Sequence, residues 1–497
     1  MDIEEFRRRG KEAVDIIADY YQSVDNHPPV ASVNPGYLQK LIPREMPQTP
    51  DSYDDIIADM QSKISPGITH WQSGNFFAWF PGCSSYPSII GEMFSSMYSV
   101  IGFNWLCSPA ATELEVAVMD WLGKLLGLDN RFLSIDEHGR KNRGGGIIQG
   151  SASEALLLAM IAARERKIQE ICSQDNISYH EAISKQYLFV AYVSDQTHSC
   201  AEKAANILGV QIRIIPSDNN FRLTKDALVA QISQDKRSYH YPFFVCGTFG
   251  TTNTTSIDDL PGLADVAEVE HMWLHIDAAY AGAALACPEF RELAQGIERA
   301  HSFDFNLNKW MLVNLDCSAM WIFDSKFLTK ALSAGRNILY RDSLEKENPA
   351  VRNMHNWQIP FSRRFRALKI WFTLRVYGVV GIQTHIRNQV NMAQWLKTQL
   401  ILDGRFEIVA PVVFGLVVFR LNEKAASAFG SIDLANSCLY QLIQQDGRVF
   451  IVSTMVNNRL ALRAAIGSVF STMENVKLLF DVITESATDA ISSHIYN

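Results

Sequence analysis

The chain has 497 residues, with 45 Lys and Arg against 53 Asp and Glu, and its formal net charge is -8. Hydrophobic residues make up 47% and charged residues 20%, which is ordinary for a folded globular protein and excludes extensive disorder. The mildly acidic charge, without any block rich in Lys and Arg, excludes a general nucleic-acid binder.

The N-terminal segment MDIEEFRRRGKEAVDIIADYY predicts an amphipathic helix and lacks the apolar core of a signal peptide. Such a helix needs a partner surface for its apolar face, which carries Phe6, Val14 and Ile17. The eight cysteines form no CxxC pair, so we predict no metal site and expect reduced thiols in the cytoplasm.

An uncharged aromatic stretch lies between Ile64 and Thr112, where Glu92 is the only formal charge. Glycines and prolines interrupt this stretch, so no run of about 20 apolar residues predicts a membrane span. The stretch is therefore core, a subunit interface or a binding pocket. Residues 111–128 then predict a buried helix.

From Gly144 onward, short apolar runs alternate with helical patterns. The runs that predict strands are 188–193, 210–215, 243–248, 273–276 and 318–323. Near-continuous apolar strands between helices indicate a mostly parallel sheet that is covered on both faces. Beyond about Trp371, helices mixed with predicted strands at 409–421 and 460–466 indicate a smaller C-terminal α/β domain.

Two polar features follow strands of the predicted sheet, at the edge where parallel sheets bind ligands. Gly150-Ser151-Ala152-Ser153 opens a helix, where backbone N–H groups and the helix dipole suit a phosphate. An ordinary N-cap is the alternative. His198 follows the strand at 188–193 and could stack on a planar cofactor or move a proton, with a capping histidine as the alternative.

Two further features lie at later strand ends. Asp277 ends an apolar strand, where an acid is costly unless a cation such as a protonated pyridine nitrogen pairs with it. Lys309 lies between apolar stretches, where loss of water favours the neutral amine that a Schiff base needs. A capping Asp and a snorkelling Lys are the alternatives. Together and in this order, the four features describe the contacts of pyridoxal phosphate.

Collinear motifs run through nearly the whole chain. They are EFRRRGKEAVD at 5–15, PGYL at 35–38, THW at 69–71, SPAATELE at 108–115, GGGIIQGSASEA at 144–155, SDQTHS at 194–199, WLHIDAAYAG at 273–282, CPEFR at 287–291, NKW at 308–310, DCSAMW at 316–321 and WQIPFSRRFRALKIWF at 357–372. In these motifs the chain resembles the pyridoxal-phosphate-dependent aromatic-L-amino-acid decarboxylases of the group II decarboxylase family. That group also holds histidine decarboxylases and aldehyde synthases.

The resemblance implies the α/β fold of PLP-dependent transferases (aspartate aminotransferase fold type I). We expect residues 1–85 to form an N-terminal helical segment that packs on the partner subunit of a homodimer. We expect residues 86–375 to form the large PLP-binding domain, with a mostly parallel seven-stranded sheet, and residues 376–497 a small C-terminal α/β domain.

The resemblance also implies the site residues. Lys309 forms the Schiff base with pyridoxal 5'-phosphate, Asp277 pairs with the ring nitrogen, and His198 stacks on the ring. The other implied cofactor contacts are Ala152, Ser153, Thr252 and Asn306. The implied substrate pocket consists of Trp71, Trp79, Phe80, Pro81, Gly82, Ile101, Phe103, Asn308, Ser362 and Arg463, with Arg463 near the substrate carboxylate and Ile101 and Phe103 coming from the partner subunit.

Tyr340 lies in a charged, aperiodic segment that predicts a mobile loop. A Tyr here is the family's proton donor to Cα, whereas Phe accompanies oxidative aldehyde formation, and some aldehyde synthases carry Asn where His198 stands. The chain is therefore expected to release an amine and carbon dioxide, with an exposed loop Tyr as the alternative reading of Tyr340.

Departures from the family pattern concern the substrate end of the site. Asn308 stands where many members have His, Gly82 where Thr is frequent, and Trp79 where Tyr is frequent. Ser362 stands where enzymes that prefer indoles have Gly. Tyrosine, DOPA, phenylalanine and tryptophan are the expected substrates, and histidine decarboxylation and oxidative decarboxylation to an aldehyde are the alternatives.

Overall fold

The computed structural model describes residues 1–333 and 351–495, and the chain divides into two compact units. The larger unit comprises residues 82–393 and 410–416, and the smaller unit comprises residues 1–81, 394–409 and 417–497. The helices are α1 Ile3–Ser23, α2 Tyr37–Leu41, α3 Tyr53–Asp59, α4 Tyr86–Tyr98, α5 Pro109–Leu126, α6 Ala152–Asp175, α7 Tyr179–Ser184, α8 Cys200–Leu208, α9 Lys225–Arg237, α10 Leu260–Val269, α11 Leu307–Trp310, α12 Lys326–Leu332, α13 Ala367–Asp403, α14 Ile432–Asp446 and α15 Met473–Ile495.

The larger unit is built on a seven-stranded sheet. Its strands are β1 Gly145–Gln149, β2 Phe189–Ser194, β3 Gln211–Ile215, β4 Tyr241–Thr248, β5 Trp273–Asp277, β6 Ser302–Asn306 and β7 Ser318–Ile322, in the spatial order β1-β7-β6-β5-β4-β2-β3. Strand β7 runs antiparallel to both neighbours, and the pairs from β6 to β3 are parallel. The mostly parallel sheet that the sequence predicts is therefore confirmed.

Helix α6 lies at the centre of the larger unit's core. Its buried side chains, including Leu156, Ala159 and Ala163, share one apolar cluster with Phe189 of β2 and Phe243 of β4. Strands covered on both faces read as continuous apolar runs, which explains why the positions of β2, β3, β4, β5 and β7 were predictable from sequence, while β1 and β6 were missed.

The smaller unit contains a four-stranded sheet. Its strands are β8 Phe406–Ile408, β9 Leu416–Leu421, β10 Val452–Val456 and β11 Arg459–Ala465, in the order β10-β11-β9-β8. The strand predicted over 409–421 was too long, because β9 begins only at Leu416. Pro411 precedes it, and proline cannot donate a hydrogen bond to a strand ladder. Within the described ranges, no helix is long and apolar enough to cross a lipid bilayer.

Candidate active site

The predicted cofactor residues gather at the C-terminal edge of the large sheet. Asp277 and Asn306 end the neighbouring strands β5 and β6, and Lys309 lies in the short helix α11 immediately after β6. The other cofactor residues follow the ends of β1, β2 and β4, and they are Ala152, Ser153, His198 and Thr252. Because these strands point the same way, one edge of the sheet carries all seven residues.

The N-terminus of α6 provides an anion site at this edge. Ser151 caps the helix, with its Oγ accepting a hydrogen bond from the Glu154 N–H at 3.3 Å. Ala152 and Ser153 are the first two helical residues, and first-turn N–H groups have no acceptor within their own helix. Since α6 is 24 residues long, its dipole adds to the attraction for a phosphate.

Asp277 offers a buried carboxylate. Its side chain is 5% exposed, and Oδ1 accepts a hydrogen bond from the Ala279 N–H at 2.9 Å. Its carbonyl oxygen accepts from the Phe249 N–H at 2.8 Å, which ties the end of β5 to the loop after β4. One amide hydrogen bond does not offset the burial of a negative charge, so the carboxylate needs a cation.

His198 is exposed, and its ring is held by the start of α8. The Cys200 N–H donates to His198 Nδ1 at 3.1 Å, so the neutral ring carries its proton on Nε2. The Cys200 thiol beside it is buried. Burial, together with the charge of Asp277, raises the pKa of that thiol to about 12.

The backbone on either side of Lys309 is fixed. The Lys309 carbonyl oxygen accepts from Cys83 Sγ at 3.2 Å, and the Asn308 carbonyl oxygen accepts from the Cys83 N–H at 2.6 Å. The next residue, Trp310, stacks on Tyr280 with ring centroids 4.8 Å apart, and its Nε1 donates to Gln389. The partly buried lysine therefore projects from a rigid support.

A buried carboxylate shapes the loop that carries Thr252. Asp258 accepts hydrogen bonds from the Thr248 N–H at 2.7 Å and the Leu223 N–H at 2.6 Å. Burial raises the pKa of Asp258 to about 7. The loop also forms a hydroxyl contact between Thr251 Oγ1 and Thr254 Oγ1 at 3.0 Å.

The predicted substrate residues of the larger unit form two groups. Gly82 and Asn308 lie together, because the residue after Gly82 bonds the Asn308 carbonyl. Ile101 and Phe103 lie beside Ser362. The Gly102 N–H donates to the Arg363 carbonyl at 3.0 Å, and the ring centroids of Phe103 and Phe361 are 4.9 Å apart.

The predicted substrate residues of the smaller unit form a third group. Trp71 and Trp79 stack with centroids 5.2 Å apart, and Trp79 has a left-handed backbone with φ of 49°. The buried Arg463 guanidinium lies 5.2 Å from the centre of the Phe80 ring, and Pro81 lies against Gly467. Tyr340 lies outside the described residues.

Sequence reasoning missed polar residues inside β5 and β6. His275, Ser302 and Asp304 are all buried and lie on the side of the sheet that carries Asp277. The signal was present as polar residues at alternate positions of two short strands, since alternate side chains share a face.

Unsatisfied polar atoms test whether this edge fits pyridoxal phosphate. Asn306 Oδ1, Thr248 Oγ1 and Ser318 Oγ are buried, and none has a hydrogen-bond partner among the described residues. Buried polar atoms are normally paired, so this edge suits a polar ligand. The α6 terminus fits the phosphate, Asp277 the ring nitrogen and Lys309 the aldehyde. Fold and site together define a pyridoxal-phosphate enzyme.

Comparison with known proteins gives the family. Residues 35–422 match the pyridoxal-dependent decarboxylase conserved domain. The chain is 43% identical over 491 residues to the aromatic-L-amino-acid decarboxylase of Mus musculus, covering 99% of both chains. The chain belongs to the pyridoxal-dependent decarboxylase family.

Two solved structures have the same fold. Tryptophan decarboxylase from Catharanthus roseus, solved in complex with L-tryptophan, matches with a TM-score of 0.90 and 38% identity, covering 98% of this chain and 99% of that one. The 4-hydroxyphenylacetaldehyde synthase of Rhodiola rosea matches with a TM-score of 0.90 and 35% identity, over the same shares of the two chains. Fold and cofactor are thus confirmed, while the roles of individual residues remain predictions.

Proposed function

We propose that the protein decarboxylates aromatic L-amino acids, namely tyrosine, DOPA, phenylalanine or tryptophan, to the corresponding arylalkylamines and carbon dioxide. The observation that carries the proposal is the placement of Lys309, Asp277 and His198 at one sheet edge beside the α6 anion site. Full-length similarity to the mouse aromatic-L-amino-acid decarboxylase supports the aromatic substrate class.

Each residue has a defined task in this reaction. When bound, pyridoxal phosphate supplies an electron sink for breaking the bond between Cα and the carboxylate. The Lys309 amine would hold the cofactor through its aldehyde group. Asp277 would hold the protonated ring nitrogen, and His198, whose Nδ1 is held by the Cys200 N–H, would stack on the ring. Arg463 binds the substrate carboxylate, and Tyr340 returns a proton to Cα.

A substrate panel with product identification tests the function. The holoenzyme is incubated separately with tyrosine, DOPA, phenylalanine, tryptophan and histidine, and amine, carbon dioxide, aldehyde and peroxide are measured. We expect amine and carbon dioxide in equal amounts from at least one of the first four, without peroxide. Release from histidine alone would replace the proposal with histidine decarboxylation, which Ser362 and Asn308 favour.

Replacement of Tyr340 by phenylalanine is expected to shift the main product from amine to aldehyde. Without the phenol, protonation of Cα is slow, and dioxygen oxidises Cα instead. The amino acid, dioxygen and water then give aldehyde, carbon dioxide, ammonia and hydrogen peroxide. Product analysis by chromatography and a peroxide assay measure the shift. The exposed Tyr187 provides the control variant Tyr187→Phe. Unchanged amine output from Tyr340→Phe would refute the role.

We propose that the protein is a homodimer located in the cytoplasm. Two helices present exposed apolar side chains, which single chains rarely leave uncovered in contiguous patches. The exposed residues on α1 and α4 are Ile3, Phe6, Val14, Ile17, Tyr86, Ile90, Met93, Phe94, Met97 and Tyr98. No disulfide bond occurs among the described residues, which supports a reducing compartment.

The contacts of Ser362 extend the dimer proposal to substrate choice. Ser362 shares a surface with Ile101 and Phe103, which the family places in the partner's site. We therefore propose that all three enter the partner's pocket together. Ser362→Gly is expected to raise the preference for tryptophan over tyrosine, measured as the ratio of kcat/KM values, by about ten-fold, because one hydroxyl hydrogen bond is lost.

Hybrid dimers give the decisive measurement. A Lys309→Ala chain and a Ser362→Gly chain are purified together through two different tags. The active site with an intact lysine then takes Ser362 from the other chain, so we expect the wild-type preference. The altered preference in the hybrid would show that Ser362 acts within its own subunit.

A further inference from the structure

A second carboxylate lies beside Asp277 in the buried layer of the sheet. Asp304 of β6 is paired in register with Asp277 of β5, so their side chains lie on the same face of neighbouring strands. Neighbouring strands are about 4.8 Å apart. Asp304 is fully buried and Asp277 is 5% exposed, so water screens the interaction between the two carboxylates only weakly.

A chain of buried polar groups leads to Asp304. Trp273 Nε1 donates to Ser302 Oγ at 2.8 Å, and Ser302 Oγ lies 2.8 Å from His275 Nδ1. When the neutral ring carries its proton on Nε2, Ser302 Oγ donates to Nδ1 and the ring N–H faces Asp304. His275 Nε2 lies 3.1 Å from Asp304 Oδ1 and thus stabilises the carboxylate.

The charged groups around Asp304 influence the protonation of its carboxyl group. His275 and Asp277 face it from β5, and Lys309 acts on it from α11. The charge of Asp304 also contributes to raising the pKa of two thiols, those of Cys200 of α8 and Cys246 of β4. Burial, opposed by His275 and reinforced by Asp277, raises the pKa of Asp304 to about 6. Above that pH the layer holds two carboxylates.

Both carboxylate oxygens of Asp304 are buried, and neither receives a well-aligned hydrogen bond from any part of the chain that the structure describes. The contact of His275 Nε2 with Oδ1 is therefore a close electrostatic contact. Two neighbouring buried carboxylates with so few donors repel each other, and a cation placed against Asp277 relieves that repulsion. The protonated ring nitrogen of the cofactor is such a cation.

We propose that Asp304, held by His275, is a positioning residue that acts through Asp277 and strengthens the binding of the protonated cofactor ring. The proposal rests on the assignment of Asp277 to the ring nitrogen and requires no particular amino-acid substrate. In this role the charge of Asp304 matters for the binding of the ring, whereas a residue that only fills the core would act through the volume of its side chain.

The test is the affinity of the apoenzyme for pyridoxal phosphate as a function of pH, followed by fluorescence without substrate. Asp304→Asn keeps the size of the side chain and removes its charge. We expect the ratio of the variant's Kd to the wild-type Kd to be near one at pH 5 and about ten at pH 8. Asp226→Asn, at an exposed position of α9, is the control. A ratio that stays constant with pH overturns the proposal.

A second variant covers the case in which Asp304→Asn does not fold. His275→Gln weakens the donor to Asp304, so the pH above which cofactor binding tightens should rise by about one unit. Circular dichroism confirms folding of each variant. An unshifted pH profile in folded His275→Gln also overturns the proposal. Inactivity towards every aromatic amino acid would refute the proposed function and leave this result unaffected.

Discussion

Replacement of Lys309 by alanine is expected to lower kcat for amine formation by about 10⁴-fold or more, because the variant loses the nucleophile that attaches and releases the cofactor. The rest of the site is retained, since the backbone of α11 is held by Cys83 and by the stacked Trp310. Lys203→Ala, on the exposed face of α8, is the matched control and should keep full activity.

Borohydride reduction separates this explanation from unfolding. In the wild-type holoenzyme, reduction should fix the cofactor on the peptide that contains Lys309, and in Lys309→Ala no peptide should be labelled. Labelling of another lysine in the wild-type protein, or residual activity above one tenth in the variant, would remove Lys309 from its assigned role.

Replacement of Asp277 by asparagine is the second change with a large expected effect. The amide keeps the hydrogen bond with Ala279 and removes the only charge at the end of β5, leaving the ring cation unpaired in a buried setting. Removing one partner of a buried pair costs about 3–5 kcal/mol, which corresponds to a loss of about 10²–10⁴-fold in cofactor affinity and in kcat.

The Kd for pyridoxal phosphate and kcat under saturating cofactor are the measurements. Because Asp277 is proposed to pair directly with the ring nitrogen, the effect of its loss should be large at pH 5 and at pH 8 alike, in contrast to the pH-dependent effect expected for Asp304. Asp226→Asn again serves as the control. Cofactor affinity within three-fold of wild type in Asp277→Asn would contradict the assignment.

The sheet and the cofactor residues could be predicted because their signals are local. An apolar run marks β2, β3, β4, β5 and β7, whereas β1 and β6 were not predicted as strands, because glycines open β1 and polar residues interrupt β6. Asp277 and Lys309 are conspicuous because a charge interrupts apolar surroundings. The strand ends of a parallel sheet then converge without further information. This reasoning places Asp277 and Lys309 at one edge, as the structure has them, whereas Asn306 came only from the family resemblance.

Features that depend on pairing between distant segments could not be predicted. The antiparallel β7 lies between β1 and β6, a position that nothing in its own sequence encodes. The register that sets Asp304 against Asp277 is likewise a property of two strands together. The contacts of Phe103 with Phe361 and of Gly102 with Arg363, on either side of Ser362, each join residues more than 250 positions apart, which no local pattern reports.

The protonated thiol of Cys200 has a consequence for chemical selectivity. A thiolate is a stronger competitor than an amine for a reactive aldehyde, whereas a thiol is a poor one. Burial and the charge of Asp277 keep Cys200 protonated far beyond neutral pH. Burial and the charge of Asp277 therefore keep this sulfur a poor nucleophile, which leaves the Lys309 amine, in its proposed role, without competition from the Cys200 thiol for an incoming carbonyl compound.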